Sequence, residues 1–348
     1  MKVIHIESGL GNQMLSYCEY IAMKQANPSD EVYIENVIFD IPECNEVICQ
    51  WNGYELERIF GIHAPNVKDI VPADTWEHIM QDIRASRFWE RNWNWPVHIS
   101  NAFNNNGLQV ENIRGDFESP EYVTKHIPNT KSLSYKLKNC LPALYLKRIK
   151  YRRPIPMEKL RCEDLLFVQS DKNLLTGQQL KFKLKASGLE RIEKEVREAF
   201  TFPEIKDSKN KEGIEYIRSV NAVAIHARRG DLLGMNYSLY VTGYFKRAVK
   251  FIRQHTENPE FFIFCDPGSV SWATENANIL GLNMKKDKVH FVDWNKGTES
   301  YRDMQLMAEC KHQVITNSSF GWWGAWLNTN PDKITCSPNF RFNTTHTF

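Results

Sequence analysis

The chain runs to 348 residues and carries 44 Lys and Arg against 42 Asp and Glu, a net charge of +2. That length fits one large or two ordinary domains, and 42% hydrophobic against 25% charged residues excludes a disordered chain. The near-neutral balance argues against a general nucleic-acid binder, so an anionic ligand must be held locally.

The amino terminus, Met1 to Ile6, enters a strand pattern at once, without the apolar run of a signal peptide. A Gly-rich turn, Ser8-Gly9-Leu10-Gly11-Asn12, then leads into a predicted helix over 13–25, one strand-loop-helix unit of a parallel sheet. From Phe39 to Pro156 the pattern is irregular and rich in Trp, Asn and Pro, predicting loops and short helices. Within it lies a basic block, 125–153, with no acid between Tyr122 and Met157. A solvated connecting face is the preferred reading, with peripheral contact to an anionic membrane as the alternative. Pro142 interrupts any single long helix there.

A helix is expected over 189–200, and the polar run 206–213 reads as an interdomain linker. Beyond it strands (220–226, 260–265, 289–292, 313–316, 333–336) alternate with helices (242–255, 270–280, 301–310, 319–327). Such alternation builds a parallel sheet covered on both faces, and ligands of such sheets sit beyond the carboxyl ends of the strands. The eight cysteines show no CxxC pair and no zinc spacing, so reduced thiols and a cytosolic setting are expected. No stretch reaches the roughly 18 apolar residues of a spanning helix, so the protein is expected to be soluble or peripheral.

The unusual residues fall at the strand ends. His226-Ala227-Arg228-Arg229-Gly230-Asp231 puts two guanidiniums at a strand terminus, where forked donors suit a diphosphate. A surface Arg-Asp pair is the plainer explanation. Asn317-Ser318-Ser319 precedes a helix from about Phe320, where free amides and hydroxyls converge at a positive helix end. A simple N-cap would need only one of the serines. Asp266 ends a strand and Asp303 opens a helix, and carboxylates so placed accept from ribose hydroxyls or guanine N–H groups. Trp322, Trp323 and Trp326, at helical spacing, are expected in the core, whereas Trp89, Trp93 and Trp95 are candidates for an acceptor cleft. Gly9 and Gly11 do not complete GxGxxG and no GxxxxGK exists, which disfavours ordinary dinucleotide and ATP sites.

The hexapeptide from His226 to Asp231 resembles the His-x-Arg-Arg-Gly-Asp motif of the alpha-1,2-fucosyltransferases, glycosyltransferase family eleven. The run from Asp303 through Asn317-Ser318-Ser319-Phe320-Gly321-Trp322-Trp323-Gly324-Ala325-Trp326-Leu327 is similar to that family's carboxyl-terminal block, and Gly9-Leu10-Gly11-Asn12-Gln13-Met14 to its amino-terminal block. The middle departs from it: Thr176-Gly177-Gln178-Gln179-Leu180 stands where the family usually has Gly-Tyr-Phe/Trp-Gln-Ser, and Pro267 replaces a frequent second Asp.

The resemblance implies an α/β chain of GT-B type, two Rossmann-like domains facing a cleft. Residues 1–205 would serve the acceptor and 206–348 GDP-fucose. It also implies an inverting transfer of fucose to a galactose-containing glycan, with no cofactor, no required metal and no nucleic acid. Arg228 would contact the pyrophosphate and carry most of the rate; His226 and Asp303 would recognise guanine. Arg229, Asp266, Asn317, Ser318, Ser319 and Phe320 would complete the donor site, with Gly11, Asn12 and Gln13 contributed by the other domain. Asp231 is weighed as the general base against an ion pair that orients the arginines, and the ion pair is preferred. Two rivals remain: a fucosyltransferase of another linkage or acceptor, and a non-catalytic homologue that binds glycan or nucleotide.

Overall fold

A computed structural model of the chain describes residues 1–47, 52–91, 95–113, 132–152, 166–177, 179–227, 229, 233–266 and 268–348. The chain forms two compact units, one of Met1–His126 with Ile155–Pro203 and one of Ile127–Pro154 with Glu204–Phe348. Both are Rossmann-like α/β units with parallel sheets.

In the first unit β1 (Lys2–His5), β2 (Val32–Glu35), β3 (Glu111–Asn112) and β4 (Leu174–Thr176) lie in the order β2-β1-β4-β3. The predicted first helix spans Leu10–Ala26 and carries the chain from β1 to β2. Among the described residues of the irregular middle, two helices are longer than its composition implies. Ala73–Ser86 is a helix that buries Ile79, Met80 and Ile83, and Trp95–Asn105 buries Ile99 and Phe103 against the same core. Trp89 and Trp95 sit in that core beside Phe88, which corrects their assignment to an acceptor cleft, while Trp93 lies outside the described residues.

In the second unit β5 (Asn221–Ala227), β6 (Pro259–Cys265), β7 (Val289–Val292), β8 (His312–Val314), β9 (Thr335–Ser337) and β10 (His346–Thr347) take the order β10-β9-β8-β5-β6-β7. The strand pleat feeds two cores. Val223, Ile225, Phe261 and Ile263 face one, and Ala222, Ala224, Phe262 and Phe264 the other, so the sheet is covered on both sides. Trp322 and Trp323 are fully buried and Trp326 nearly so, as their spacing predicts.

Residues 206–213 are not a linker. Asp207 caps a helix, Ser208–Ser219, by accepting from Asn210 N at 2.8 Å, so the polar composition reflects a cap and an exposed helix face. The helix expected over 189–200 divides into a 3-10 turn, Leu189–Arg191, and a helix, Glu193–Ala199. The basic block contributes two helices, Leu133–Lys138 and Leu141–Arg152, that group with the second unit rather than with residues 1–205. Pro142 occupies the first turn of the longer one, where its missing N–H costs nothing. No helix among the described residues is long and apolar enough to cross a membrane.

Candidate functional site

The sheet order of the second unit makes a topological switch. From β5 the chain proceeds outward through β6 and β7, then returns to the other side of β5 to lay down β8, β9 and β10. The connections after β5 and β8 therefore diverge and leave a crevice at the carboxyl ends of neighbouring strands, the usual ligand position in open α/β sheets. His226 and Arg229 follow or end β5, Asp266 follows β6, and Asn317 to Ser319 follow β8.

The switch is closely packed. His226 is buried, with Nδ1 3.3 Å from Thr316 Oγ1 and its ring stacked on Phe320 at 6.0 Å between centroids. Gly321 explains this approach: a Cβ built there would stand 2.4 Å from His226 Nδ1. Arg229 donates its backbone N–H to Asp266 Oδ2 at 2.5 Å, tying the ends of β5 and β6 together. Its guanidinium lies over the Trp272 ring at 3.6 Å. Burial favours its neutral form and lowers its pKa, and the aromatic face partly offsets the lost hydration. Arg229 Nε is buried without a hydrogen-bond partner.

On the other side, Ser318 occupies the N-cap position of the Ser319–Leu327 helix in extended conformation, yet its hydroxyl makes no capping bond. The plain N-cap reading therefore fails for Ser318. Asn317 N donates to Asn236 Oδ1 at 3.3 Å, while Asn317 Oδ1 is buried without a partner. A helix amino terminus whose cap hydroxyl is not spent on the helix is suited to an anion.

Asp303 sits in the first turn of the Tyr301–Glu309 helix. Burial pushes its carboxyl from 3.8 up to about 7; the Asn295 amide, donating to Oδ1 at 2.8 Å, opposes that shift, and the Asp293 charge adds to it. Asn295 is held by paired amide bonds with Asn210, which also accepts from Trp294 Nε1 at 2.9 Å. Asn210 comes from the Ser208–Ser219 helix, within the polar run whose composition resembles a linker. The supporting residues Thr316, Asn236, Asn295, Trp272 and Gly321 escaped sequence reasoning. Only Gly321 left a signal, as a glycine in the first turn of a tryptophan-rich helix.

In the first unit, Gly11, Asn12 and Gln13 open the Leu10–Ala26 helix beyond β1. Ser8 enters it with φ of 66°, in the left-handed region, and Asn12 Nδ2 donates to Ser8 Oγ at 3.0 Å. Gln13 is fully buried. Its amide donates to Ser8 O and Gly53 O and accepts from Glu55 N, so it shapes the turn. Arg228, Gly230 and Asp231 lie outside the described residues, as does Pro267.

Residues 191–343 match the family model for glycosyl transferase family 11. The chain is 34% identical over 155 residues to an alpha-1,2-colitosyltransferase of Escherichia coli, covering 43% of this chain and 50% of that protein. It is 27% identical over 110 residues to galactoside alpha-(1,2)-fucosyltransferase 1 of Saimiri sciureus, covering 30% of this chain and 28% of that protein. The chain thus spans half or less of the length of these relatives. The fucosyltransferase NodZ from Bradyrhizobium superposes with a TM-score of 0.41 at 12% identity over 93% of this chain and 90% of that one. The segment that matches the family model contains His226, Arg229, Asp266, Asp303 and the Asn317–Ser319 turn.

Proposed function

We propose that the chain is an inverting glycosyltransferase that moves L-fucose from GDP-fucose to a galactoside hydroxyl in alpha-1,2 linkage, without a metal. The carrying observation is the convergence of His226, Arg229, Asp266 and the Asn317–Ser319 turn at one switch point, with Asp303 held in the same unit by the Asn295–Asn210 pair. The family match and the names of the relatives support the same reading. The scattered cysteines, with no CxxC pair in the sequence, support a cytoplasmic setting.

In this reading the acceptor hydroxyl attacks the anomeric carbon of fucose as GDP departs, through a transition state with oxocarbenium character. Negative charge grows on the diphosphate. The amides at the start of the Ser319–Leu327 helix and the guanidiniums of Arg228 and Arg229 stabilise it, acting where charge develops. Asp303 accepts from the guanine N–H groups in its ionised form. Asp231 orients the arginines.

Incubating the purified chain with GDP-fucose and a panel of galactosides, with EDTA present, and determining product linkage tests each part. Absence of transfer to every acceptor, with GDP still bound, would reduce the chain to a nucleotide-binding homologue. A second reading, transfer of colitose, the 3-deoxy counterpart of fucose, is favoured by the colitosyltransferase relative. GDP-colitose in a parallel reaction decides between the two sugars.

A further inference from the structure

The two helices of the basic block are attached to the second unit by a few inward residues. Leu144 is buried, and Tyr135 packs edge-on against Tyr237 at 5.2 Å between centroids. Among the described residues their other large apolar side chains are exposed: Leu133 and Leu141 are 73% exposed and Tyr145 is 66% exposed, with Leu137, Leu146 and Ile149 also exposed. The spacing is regular. Leu133 and Leu137 are four residues apart on the shorter helix; Leu141, Tyr145 and Ile149 repeat at four on the longer one, with Leu146 on the adjoining row. Folding has therefore left one apolar stripe on each helix unburied, in a molecule whose other large apolar residues are mostly inside.

The charge of the same segment identifies what would cover it. Residues 132–152 contain six Lys or Arg and no Asp or Glu, although the whole chain is nearly neutral, and the described Lys136 and Lys138 are exposed. We propose that this helix pair is a peripheral docking surface for an anionic lipid bilayer, its Leu, Tyr and Ile stripe entering the headgroup boundary and the exposed Lys136 and Lys138 meeting the lipid charge. Long basic side chains can lay their methylenes along such a boundary while the charged heads stay in water. A second copy of the chain is a poorer occupant, because a two-fold contact sets the same basic run against itself.

Flotation of the full chain with vesicles of phosphatidylcholine containing about one-third phosphatidylglycerol, and with phosphatidylcholine alone, tests this. The chain is expected to float with the anionic vesicles only and to be released by raised salt, as screening requires. The triple variant Leu141→Ser, Tyr145→Ser, Leu146→Ser should retain about a tenth or less of that binding, and Lys136→Gln with Lys138→Gln an intermediate fraction. Hydrogen exchange of the wild-type chain gives a readout independent of any variant's folding: amides in 133–149 should slow when anionic vesicles are added. Failure to float, equal flotation of a folded triple variant, or unchanged exchange in 133–149 would overturn the proposal. So would a wild-type dimer that the triple variant converts to monomer, since the stripe would then be the contact between copies.

Discussion

Each unit carries polar residues beyond its central strand, but the two sets are used differently. In the first unit His5, at the end of β1, is clamped between two carboxylates: Nδ1 bonds Glu35 Oε1, and Nε2 lies 3.3 Å from Glu7 Oε2. Glu35 also accepts from Val37 N, Gln13 is spent on the Gly53–Glu55 loop, and Thr176 donates to Glu19 at 2.5 Å. These groups are buried and answer one another. In the second unit the Ser318 hydroxyl does not cap its helix, and Asn317 Oδ1 and Arg229 Nε are buried without hydrogen-bond partners. A self-satisfied polar cluster fixes a turn, whereas hydrogen-bonding capacity left over at a switch point is what a ligand can use.

Disrupting the first cluster should therefore cost stability, and disrupting the second should cost chemistry. The largest effect is expected for Glu35→Gln, because removing one partner of a buried pair costs about 3 to 5 kcal/mol. Its pH dependence has a definite sign. Burial opposes the His5 imidazolium, but Glu35 and Glu7 outweigh it and lift the pKa from 6.5 to about 9. The stabilisation is complete below 6.5 and disappears as pH rises through about 9, and the variant should lose much of that slope. Urea melts across this range measure both quantities. Wild-type stability that stays flat between the two values would show His5 to be neutral. For Arg228→Ala the expected loss is about 2.7 to 4 kcal/mol of transition-state stabilisation, read as kcat falling about 10² to 10³-fold with the melt unchanged. An unaltered kcat would remove Arg228 from the reaction.

Gly321→Ala sharpens the contrast from within the second unit. The added methyl would collide with the His226 ring, so the imidazole must leave its place between Thr316 and Phe320. Overpacking of this kind costs about 1 to 3 kcal/mol. Donor affinity, measured by calorimetry with GDP, should fall along with stability. A variant that loses stability but keeps full GDP affinity would show that His226 only packs there.

The sequence made the second unit far more legible than the first, for physical reasons. Strands β5 and β6, of seven residues each, are announced by apolar runs, and the regular alternation with helices carries the pattern on through the shorter β7 to β9, so that the strand ends place His226, Asp266 and Asn317. The first unit gives weaker cues. Strands of two to four residues such as Val32–Glu35, Glu111–Asn112 and Leu174–Thr176 are too short to show a period, and they pair only through contacts distant in sequence. Lys206–Gly213 misled because an Asp N-cap followed by an exposed polar turn has the composition of a linker. Trp89 and Trp95 misled because large aromatics serve cores and sugar sites alike, and only burial distinguishes them. The Asn210–Asn295–Asp303 relay spans three separate segments, and its members carry no mutual signal in the chain.

That relay supports the finest prediction. An Asp held near neutrality by burial is partly protonated at physiological pH, and only its ionised form can accept from both guanine N–H groups. GDP binding should therefore weaken as pH falls through about 7, approaching tenfold per pH unit, or about 1.4 kcal/mol, once the acid form dominates. Asp303→Asn should bind GDP weakly at every pH and lose this dependence. The same variant should be more stable than the wild type above pH 7. The raised folded-state pKa means that the folded chain holds more protons than the unfolded chain between 3.8 and about 7, so ionisation of Asp303 subtracts stability across that interval. A gain in stability together with a loss of pH-dependent GDP binding marks a group kept strained for its ligand. Either change without the other would separate the packing of Asp303 from recognition of the base.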